Sequence, residues 1–481
     1  MNIYDKYEAV IGLEVHAQLA TKSKAFSRDS AAYGAPPNTQ ISPITLGHPG
    51  TLPMLNKRQV EFAVMLGLAC HSNITEVNRF ARKNYFYADL PKGYQISQFD
   101  TPICTGGYVR IDVEGKDKNI ELTRIHMEED AGKSMHDQDP YYTLIDLNRA
   151  GVPLLEIVTE PVLRSADEAY AYLTQVRKLV RYLEICDGNM EEGSLRCDAN
   201  ISVRIKGVEK FGEKVEVKNM NSIRNVKRAI DYEIKRQIEA IEAGEVIDQD
   251  TRSFDAVKGT TFTMRSKELA HDYRYFPEPD LPPVRIKADY IEKIKQLMPP
   301  LPEELYQRFR KEFELSDYDA QILTDEKEIA LYFNELITFT KNYKAAANWV
   351  MGAVKSYLNE QAIELTEFVL KPQQIAEIIN LIDSGKISNS AATQNLFPAM
   401  VEQPNSKAAD LAEKLNLFQQ SDESVIDGLV DEVIAAFPEK VEEYKNGKKG
   451  LLGMFMGQVM KKSKGKADPQ LASKLLEEKL N

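Results

Sequence analysis

The tightest constraint in this sequence is alternation. From Ser194 to Arg204, polar residues (Ser194, Arg196, Asp198, Asn200, Ser202, Arg204) take turns with apolar ones (Leu195, Cys197, Ala199, Ile201, Val203). Successive strand side chains point to opposite faces, so the pattern predicts an antiparallel strand with one wet and one dry face. Val10–Leu19 repeats it: Glu14, His16 and Gln18 oppose Leu13, Val15, Ala17 and Leu19. In Lys214–Lys218, Glu216 and Lys218 oppose Val215 and Val217. Two helices interrupt these strands. One begins at Ser165 with a capping box to Glu168 and carries Ala169, Leu173, Val176 and Val180 on one side. The other follows Asn221-Ser222, carries Ile223, Val226, Ile230, Ile234 and Ile238, and stops near Gly244.

At 481 residues the chain exceeds what one core serves, since cores stop growing near ~250–300 residues. The texture changes at Leu281–Lys293. Beyond it, Pro302–Phe313, Tyr318–Thr324, Lys327–Asn342, Ala345–Asn359, Lys371–Ser384 and Asn389–Phe397 have helical spacing, and a polar break at Glu402–Ser406 precedes a last helical unit. The expected fold class is α+β: an antiparallel-sheet domain over 1–293, an all-α helical domain over 294–404 and a small all-α tail over 405–481. No stretch approaches the ~20 apolar residues of a membrane span, and MNIYDKYEAVIGLEVH has no signal-peptide pattern. The four cysteines lie far apart with no CxxC pair, so a cytoplasmic protein with free thiols is expected. A net charge of −12 argues against nonspecific nucleic-acid binding by the whole surface.

The wet strand faces are rich in acid and histidine. GLEVH sets Glu14 and His16 on one side; RIHMEEDAGKSMH adds His126, Glu128, Glu129 and Asp130; LLEIVTEP adds Glu156 and Glu160; later segments add Glu191, Glu192, Asp198 and Glu216. Oxygen-rich sets with a histidine suit Mg²⁺ or Mn²⁺, and Mg²⁺ usually arrives with nucleotide phosphate. Arg124, Lys133, Arg149, Arg196 and Lys218 are cations suited to phosphate oxygens. Taken singly, each acid reads more simply as a solvated strand residue. Gly132–Ser134 (GKS) lacks the first glycine of a P-loop, because Met127 stands there. No Ser-His-Asp, Cys-His or HExxH signature is present, so the chain should neither form an acyl-enzyme nor release ammonia by itself.

IGLEVHAQL, RKNYFYADLPKGYQISQFDTPI, HMEEDAGKS, DLNRAGVPLLEIVTEP, MEEGSLRCDANIS, EVKNMNS and DYRYFPEPDLPP occur in this order, and YKNGKKGLLGMFMGQVMKKSKGKADPQ follows in the tail. Together they resemble the signature blocks of the B subunit of the aspartyl/glutamyl-tRNA(Asn/Gln) amidotransferases, over essentially the whole chain. The resemblance implies a cradle domain akin to the sheets of glutamine synthetase and guanidino kinases. It implies ATP-dependent phosphorylation of the side-chain carboxylate of Glu-tRNA(Gln) or Asp-tRNA(Asn), then amidation by ammonia channelled from a glutaminase partner. It implies a heterotrimer with an amidase A subunit and a small C subunit, with ATP and Mg²⁺ as cofactors. Carried over residue by residue, it assigns the phosphoryl-transfer site to Glu14, His16, Glu129, Glu156, Asp198 and Glu216. Of these, His16, Glu129, Glu14, Asp198 and Glu216 are expected metal ligands, Glu129 and His16 foremost. Lys133, Arg196 and Lys218 are expected at the nucleotide, and Lys83 and Lys92 at the ammonia channel. Tyr85, Phe86 and Tyr87 are expected in packing, and Trp349 in a core.

Some members of this family carry a zinc site spaced CxC…CxxC. Here those positions are Ser27, Asp29, Ser42 and Thr45. Ser, Thr and one Asp do not replace thiolates around structural zinc, so no zinc is expected. In Val441–Lys466 seven lysines (Lys445, Lys448, Lys449, Lys461, Lys462, Lys464, Lys466) face two acids, which suits phosphate contact with tRNA; Lys448, Lys449, Lys461 and Lys462 are the foremost candidates. Two rival readings stay open: a noncatalytic tRNA-binding scaffold of the same complex, and a free-standing ligase acting on a small molecule. The long helical portion and the lysine-rich tail weigh against the second.

Overall fold

The computed structural model describes residues 2–136, 138–266, 273–419, 423–463 and 467–480. Lys464 and Lys466 of the tail, and Asp272 of the DYRYFPEPDLPP block, lie outside the described residues. The chain divides into two compact units, Met1–Leu301 and Pro302–Asn481.

The first unit is built on a ten-stranded sheet. Its strands are β1 (Tyr7–Gln18), β2 (Asn73–Ile74), β3 (Cys104–Thr105), β4 (Tyr108–Val113), β5 (Lys116–Glu129), β6 (Pro153–Thr159), β7 (Leu195–Ile205), β8 (Val215–Lys218), β9 (Asp250–Asp255) and β10 (Thr260–Ser266). They lie in the order β10-β9-β8-β7-β1-β6-β5-β3-β2, with β4 paired to β5. Every pairing is antiparallel except β8 with β9. The alternating segments of the sequence are the middle of this sheet. Leu13, Val15 and Ala17 of β1, Leu155 and Ile157 of β6, and Leu195, Cys197, Ala199 and Ile201 of β7 are buried on one face. Fully burying a side chain of valine or leucine size contributes about 1.5–3 kcal/mol, so a register slip by one residue would expose this whole set.

Helices α1 (Lys57–Ala69), α2 (Ala166–Tyr182) and α3 (Ile223–Glu242) contribute to the same core. Ser165 accepts the Glu168 N–H at 3.1 Å, and the Glu168 carboxylate accepts the Arg164 N–H at 2.7 Å. The box therefore closes one residue earlier than its sequence pattern implies. Ser222 caps α3 through the Asn225 N–H, and the helix ends before Gly244 at φ +79°. Helix α1 escapes the periodicity reading for a physical reason. Val60, Phe62, Ala63, Val64, Met65, Leu66 and Ala69 are all buried, so it has no polar stripe to betray a helical period.

All regular elements described in the second unit are helical. The segment read as one helix over Ala345–Asn359 is a rod, 343–361, interrupted by a π-helical turn at Val350–Val354; a second π turn spans Ala392–Leu396. Trp349 is buried against Phe397, as expected of a core residue. The last four helices, Glu423–Ala436, Pro438–Lys445, Leu452–Lys462 and Pro469–Leu480, share a core of their own that includes Ile426, Val430, Phe455, Val459 and Leu476.

Candidate active site

Register decides which polar residues meet. His16 lies opposite Glu156 of β6 and Arg196 of β7; Glu14 lies opposite Asp198. Glu156 in turn faces His126 of β5, and Glu216 of β8 faces Asn200 of β7. Directly opposed residues share a face, so these side chains gather on the side of the sheet away from the Leu13–Val15–Leu155 core. Of these, His16, Glu156, Arg196 and Asp198 line a cavity of about 620 Å³ together with Lys83, Tyr85, Gln95, Glu128 and Lys218.

Two groups stand out among the described residues. His16, Glu128 and Glu156 bring ligand atoms within 4.8 Å of one another, and so do Glu14, Asp198 and Glu216. His16 Nε2 is 3.2 Å from Glu156 Oε2, and His126 Nε2 is 3.0 Å from Glu128 Oε1 and 3.7 Å from Glu156 Oε2. Ser97 Oγ and Gln95 Nε2 both donate to Glu128, at 2.6 and 3.1 Å, which fixes that carboxylate. Lys218 Nζ bridges Asp198 at 2.5 Å and Glu216 at 3.1 Å. Arg196 and Gln18 both donate to Asp130, at 2.8 and 2.6 Å.

The electrostatics follow from crowding. Burial pushes the Glu14 carboxyl up, and the neighbouring Glu156 adds to the push. Burial works the same way on Glu156, but His126, His16 and Lys83 outweigh it and hold Glu156 below the usual carboxylate range. Burial depresses His16, yet its bond to Glu156 raises it on balance. Burial also opposes the Lys83 ammonium, while Glu128, Tyr275 and Glu156 sustain it, and Lys83 ends raised. A cation entering this cavity would meet carboxylates already held in place by hydrogen bonds and ion pairs. The donor sets, all oxygen in one group and oxygen plus one imidazole in the other, fit a hard divalent ion.

The expected residues do not all converge. Glu129 does not line the cavity. In β5 it shares the face of Met127, where it pairs with Lys92 and accepts the Ile96 N–H at 2.9 Å. Glu128 holds the place among the ligand groups that the resemblance assigns to Glu129. The missed signal was parity: Met127 must face the core, so His126 and Glu128 share the wet side. Lys83 lines the cavity, its Nζ 4.9 Å from the Tyr273 ring centroid, whereas Lys92 sits with Glu129 near the rings of Tyr94 and Phe26. Lys133 is exposed on a two-stranded ribbon outside the cavity lining. Tyr85 is half-buried and donates to Gln95 at 3.1 Å, but Phe86 is 82% exposed, so its ring is not core packing in this chain.

At the four positions where some relatives carry cysteines, Asp29 is a hub. Its Oδ2 accepts from Ser27 at 3.0 Å, from Ser42 at 2.7 Å and from Thr45. In the second unit, Lys448 pairs with Glu443 and Lys462 with Glu432, Lys449 lies 4.2 Å from the Tyr444 ring centroid, and Lys461 is exposed.

Comparison with known proteins identifies the family. Residues 9–292 match the family model described as the GatB/GatE catalytic domain, and residues 331–480 match the one described as the GatB domain. A protein of Thermodesulfovibrio yellowstonii is 52% identical over 471 residues, covering 98% of each chain. One of Caldicellulosiruptor saccharolyticus is 50% identical over 478 residues, covering 99% of each. One of Alkalilimnicola ehrlichii is 51% identical over 478 residues, covering 99% of this chain and 100% of its own. All three are named as the B subunit of an aspartyl/glutamyl-tRNA(Asn/Gln) amidotransferase. With both family models matched and such relatives aligned end to end, this chain belongs to the GatB/GatE family.

Proposed function

We propose that this chain is the subunit of a tRNA-dependent amidotransferase that activates the side-chain carboxylate of a glutamate or aspartate esterified to tRNA, using ATP, for attack by ammonia. The observation that carries the reading is the pair of ligand groups, His16–Glu128–Glu156 and Glu14–Asp198–Glu216, on one sheet face, with His16, Glu128, Glu156 and Asp198 lining one cavity. A carboxylate is a poor electrophile, and its oxygen must gain a phosphate to leave. Mg²⁺ held by these groups would offset the charge of substrate carboxylate and nucleotide phosphate together. Arg196 and Lys218 supply further positive charge at the cavity wall, and Lys83 contributes an ammonium kept protonated by Glu128 and Glu156. His126 and Ser97 hold Glu128, and His16 holds Glu156, so the ligand oxygens need little reorganisation.

In this reading the sheet unit is a catalytic cradle of the glutamine synthetase kind. The tail over 405–481 meets tRNA phosphates through Lys448, Lys449, Lys461 and Lys462. The ammonia comes from an amidase partner, in a cytoplasmic complex completed by a third, small chain. Lys92 and its carboxylate partner Glu129 lie on the ammonia route, set apart from the metal groups. Lys133 has no part in the nucleotide site. The Asp29 hydrogen-bond hub stands in for zinc.

The test is reconstitution with the amidase partner, misacylated tRNA, ATP and glutamine. Glu156→Gln removes the charge at the centre of the His16 group. Amide formation is expected to fall by at least ~10²-fold, the scale seen when a fixed electrostatic group is lost, while glutamine hydrolysis by the partner persists. Amidation at the wild-type rate in that variant would refute the assignment and favour a scaffold role.

A further inference from the structure

A second cavity, of about 670 Å³, adjoins the first; Met190 and Asn221 line both. It opens between α2 and the start of α3, and its lining includes Arg177, Arg181, Arg224 and Tyr170. None of the three guanidinium groups has an ion pair or side-chain hydrogen bond among the described residues, and all three arginines are exposed.

Each placement works against the fold taken alone. Arg177 and Arg181 are four apart on α2, a spacing at which like charges repel. Arg224 sits in the first turn of α3, which holds no acidic residue, although a helix N-terminus favours negative charge. Tyr170 lies on the same stripe of α2 as Arg177 and Arg181 and leaves 45% of its surface open. Gly188, at φ +69°, keeps the opposite wall free of a side chain: a Cβ there would lie 2.8 Å from Arg177 Cγ. Two acids, Asp187 and Glu191, also line the cavity. Asp187 is turned to the Asn189 N–H at 2.8 Å and the Ser194 hydroxyl at 3.2 Å. An anion among the three guanidinium groups would relieve every one of these unfavourable placements.

The combination of unpaired arginines and an open aromatic ring in a groove is the chemistry that binds single-stranded nucleic acid: cations track phosphates while bases stack. We propose that this cavity holds the phosphodiester backbone of a single-stranded RNA end, the 3′ terminus whose amino acid enters the adjoining carboxylate cavity. This rests on the function proposed above. The amino acid to be activated is tethered to a strand, and that strand must leave the reaction cavity through neighbouring space. ATP is the other source of phosphate, but its phosphates belong with cations among the carboxylates, where the two ligand groups lie.

The experiment has two arms. In the reconstituted complex, Arg181→Ala/Arg224→Ala is expected to raise KM for the misacylated tRNA about tenfold, the scale of losing a charge-assisted hydrogen bond, with KM for ATP as in the wild type. In direct binding by the chain alone, uncharged tRNA is compared with the same tRNA lacking its 3′-terminal nucleotides. The variant should bind intact tRNA more weakly, with a salt dependence reduced by about 0.7 for each phosphate no longer neutralised. Wild type and variant should bind the truncated tRNA alike. Arg224→Lys should restore the salt dependence. A rise in KM for ATP alone would overturn the proposal and assign the cavity to the nucleotide. An equal loss on intact and truncated tRNA, or no loss on either, would overturn it as well. A wild-type complex that bound tRNA but formed no amide would sink the proposed function, and the binding arm would still decide the cavity.

Discussion

At the residue scale, neighbouring acids in one strand take different parts. Glu128 and Glu129 are adjacent in sequence, yet alternation sends Glu128 to the cavity and Glu129 to Lys92. Glu129→Gln would leave the Lys92 ammonium mostly buried without its carboxylate. Breaking a buried pair from one side costs about 3–5 kcal/mol, which urea unfolding of the variant should show as a lower midpoint. Asp29 makes a pH-dependent case. Burial works against its charge, but the hydroxyls of Thr45, Ser42 and Ser27 and the Lys24 ammonium together hold its carboxyl below the usual range. A depressed carboxylate stabilises the fold above its unfolded pKa and ceases to do so as pH falls through the folded value. Asp29→Ala should therefore cost about 1–3 kcal/mol near neutrality, the scale of stranding buried hydroxyl partners. Thermal melts in series should show the difference from wild type shrinking below about pH 4. A gap that stayed constant down to pH 3 would mean that the charge of Asp29 does not hold the hub together.

At the scale of elements, the sequence was most readable where local rules and burial agree. Val10–Leu19, Ser194–Arg204 and Lys214–Lys218 alternate because one face is core and the other is polar, and each is a strand. Ser165 and Ser222 announce α2 and α3 and cap them. What alternation does not carry is pairing. Nothing within β1 says that β6 and β7, distant in sequence, will flank it, and that is what sets His16 beside Glu156 and Glu14 beside Asp198. The candidate residues were legible; their grouping was not. Helix α1 shows the reverse limit, since beyond its charged first turn it is buried on nearly every side and leaves no period to read. The cap at Ser222 can be tested. Ser222→Ala strands the Asn225 N–H and should cost about 1 kcal/mol in urea unfolding. Ser222→Gly should cost only a few tenths of that.

At the scale of the whole molecule, a net charge of −12 hides two local basic features: the lysines of the tail and the arginines at the α2–α3 cavity. Replacing Lys448, Lys449, Lys461 and Lys462 together by alanine should weaken tRNA binding and flatten its salt dependence. The turnover of bound misacylated tRNA should hardly change, because the carboxylate groups are untouched. A drop in turnover at saturating tRNA, with binding unaltered, would contradict the division of labour between the units.

The position of β1 has a consequence for how the molecule comes into being. The strand that opens the chain is the middle of the sheet, flanked by β6, more than a hundred residues downstream, and by β7, later still. During synthesis it waits with a dry face exposed until nearly half the polypeptide has followed. Contacts between residues so far apart in the chain form slowly, because the intervening loop must close first. Both ligand groups depend on β1, through Glu14 and His16, so a nascent chain can complete the first only after Glu156 and the second only after Glu216. A ribosome stalled before residue 205 would carry a strand in search of its partners, and a ready substrate for chaperones.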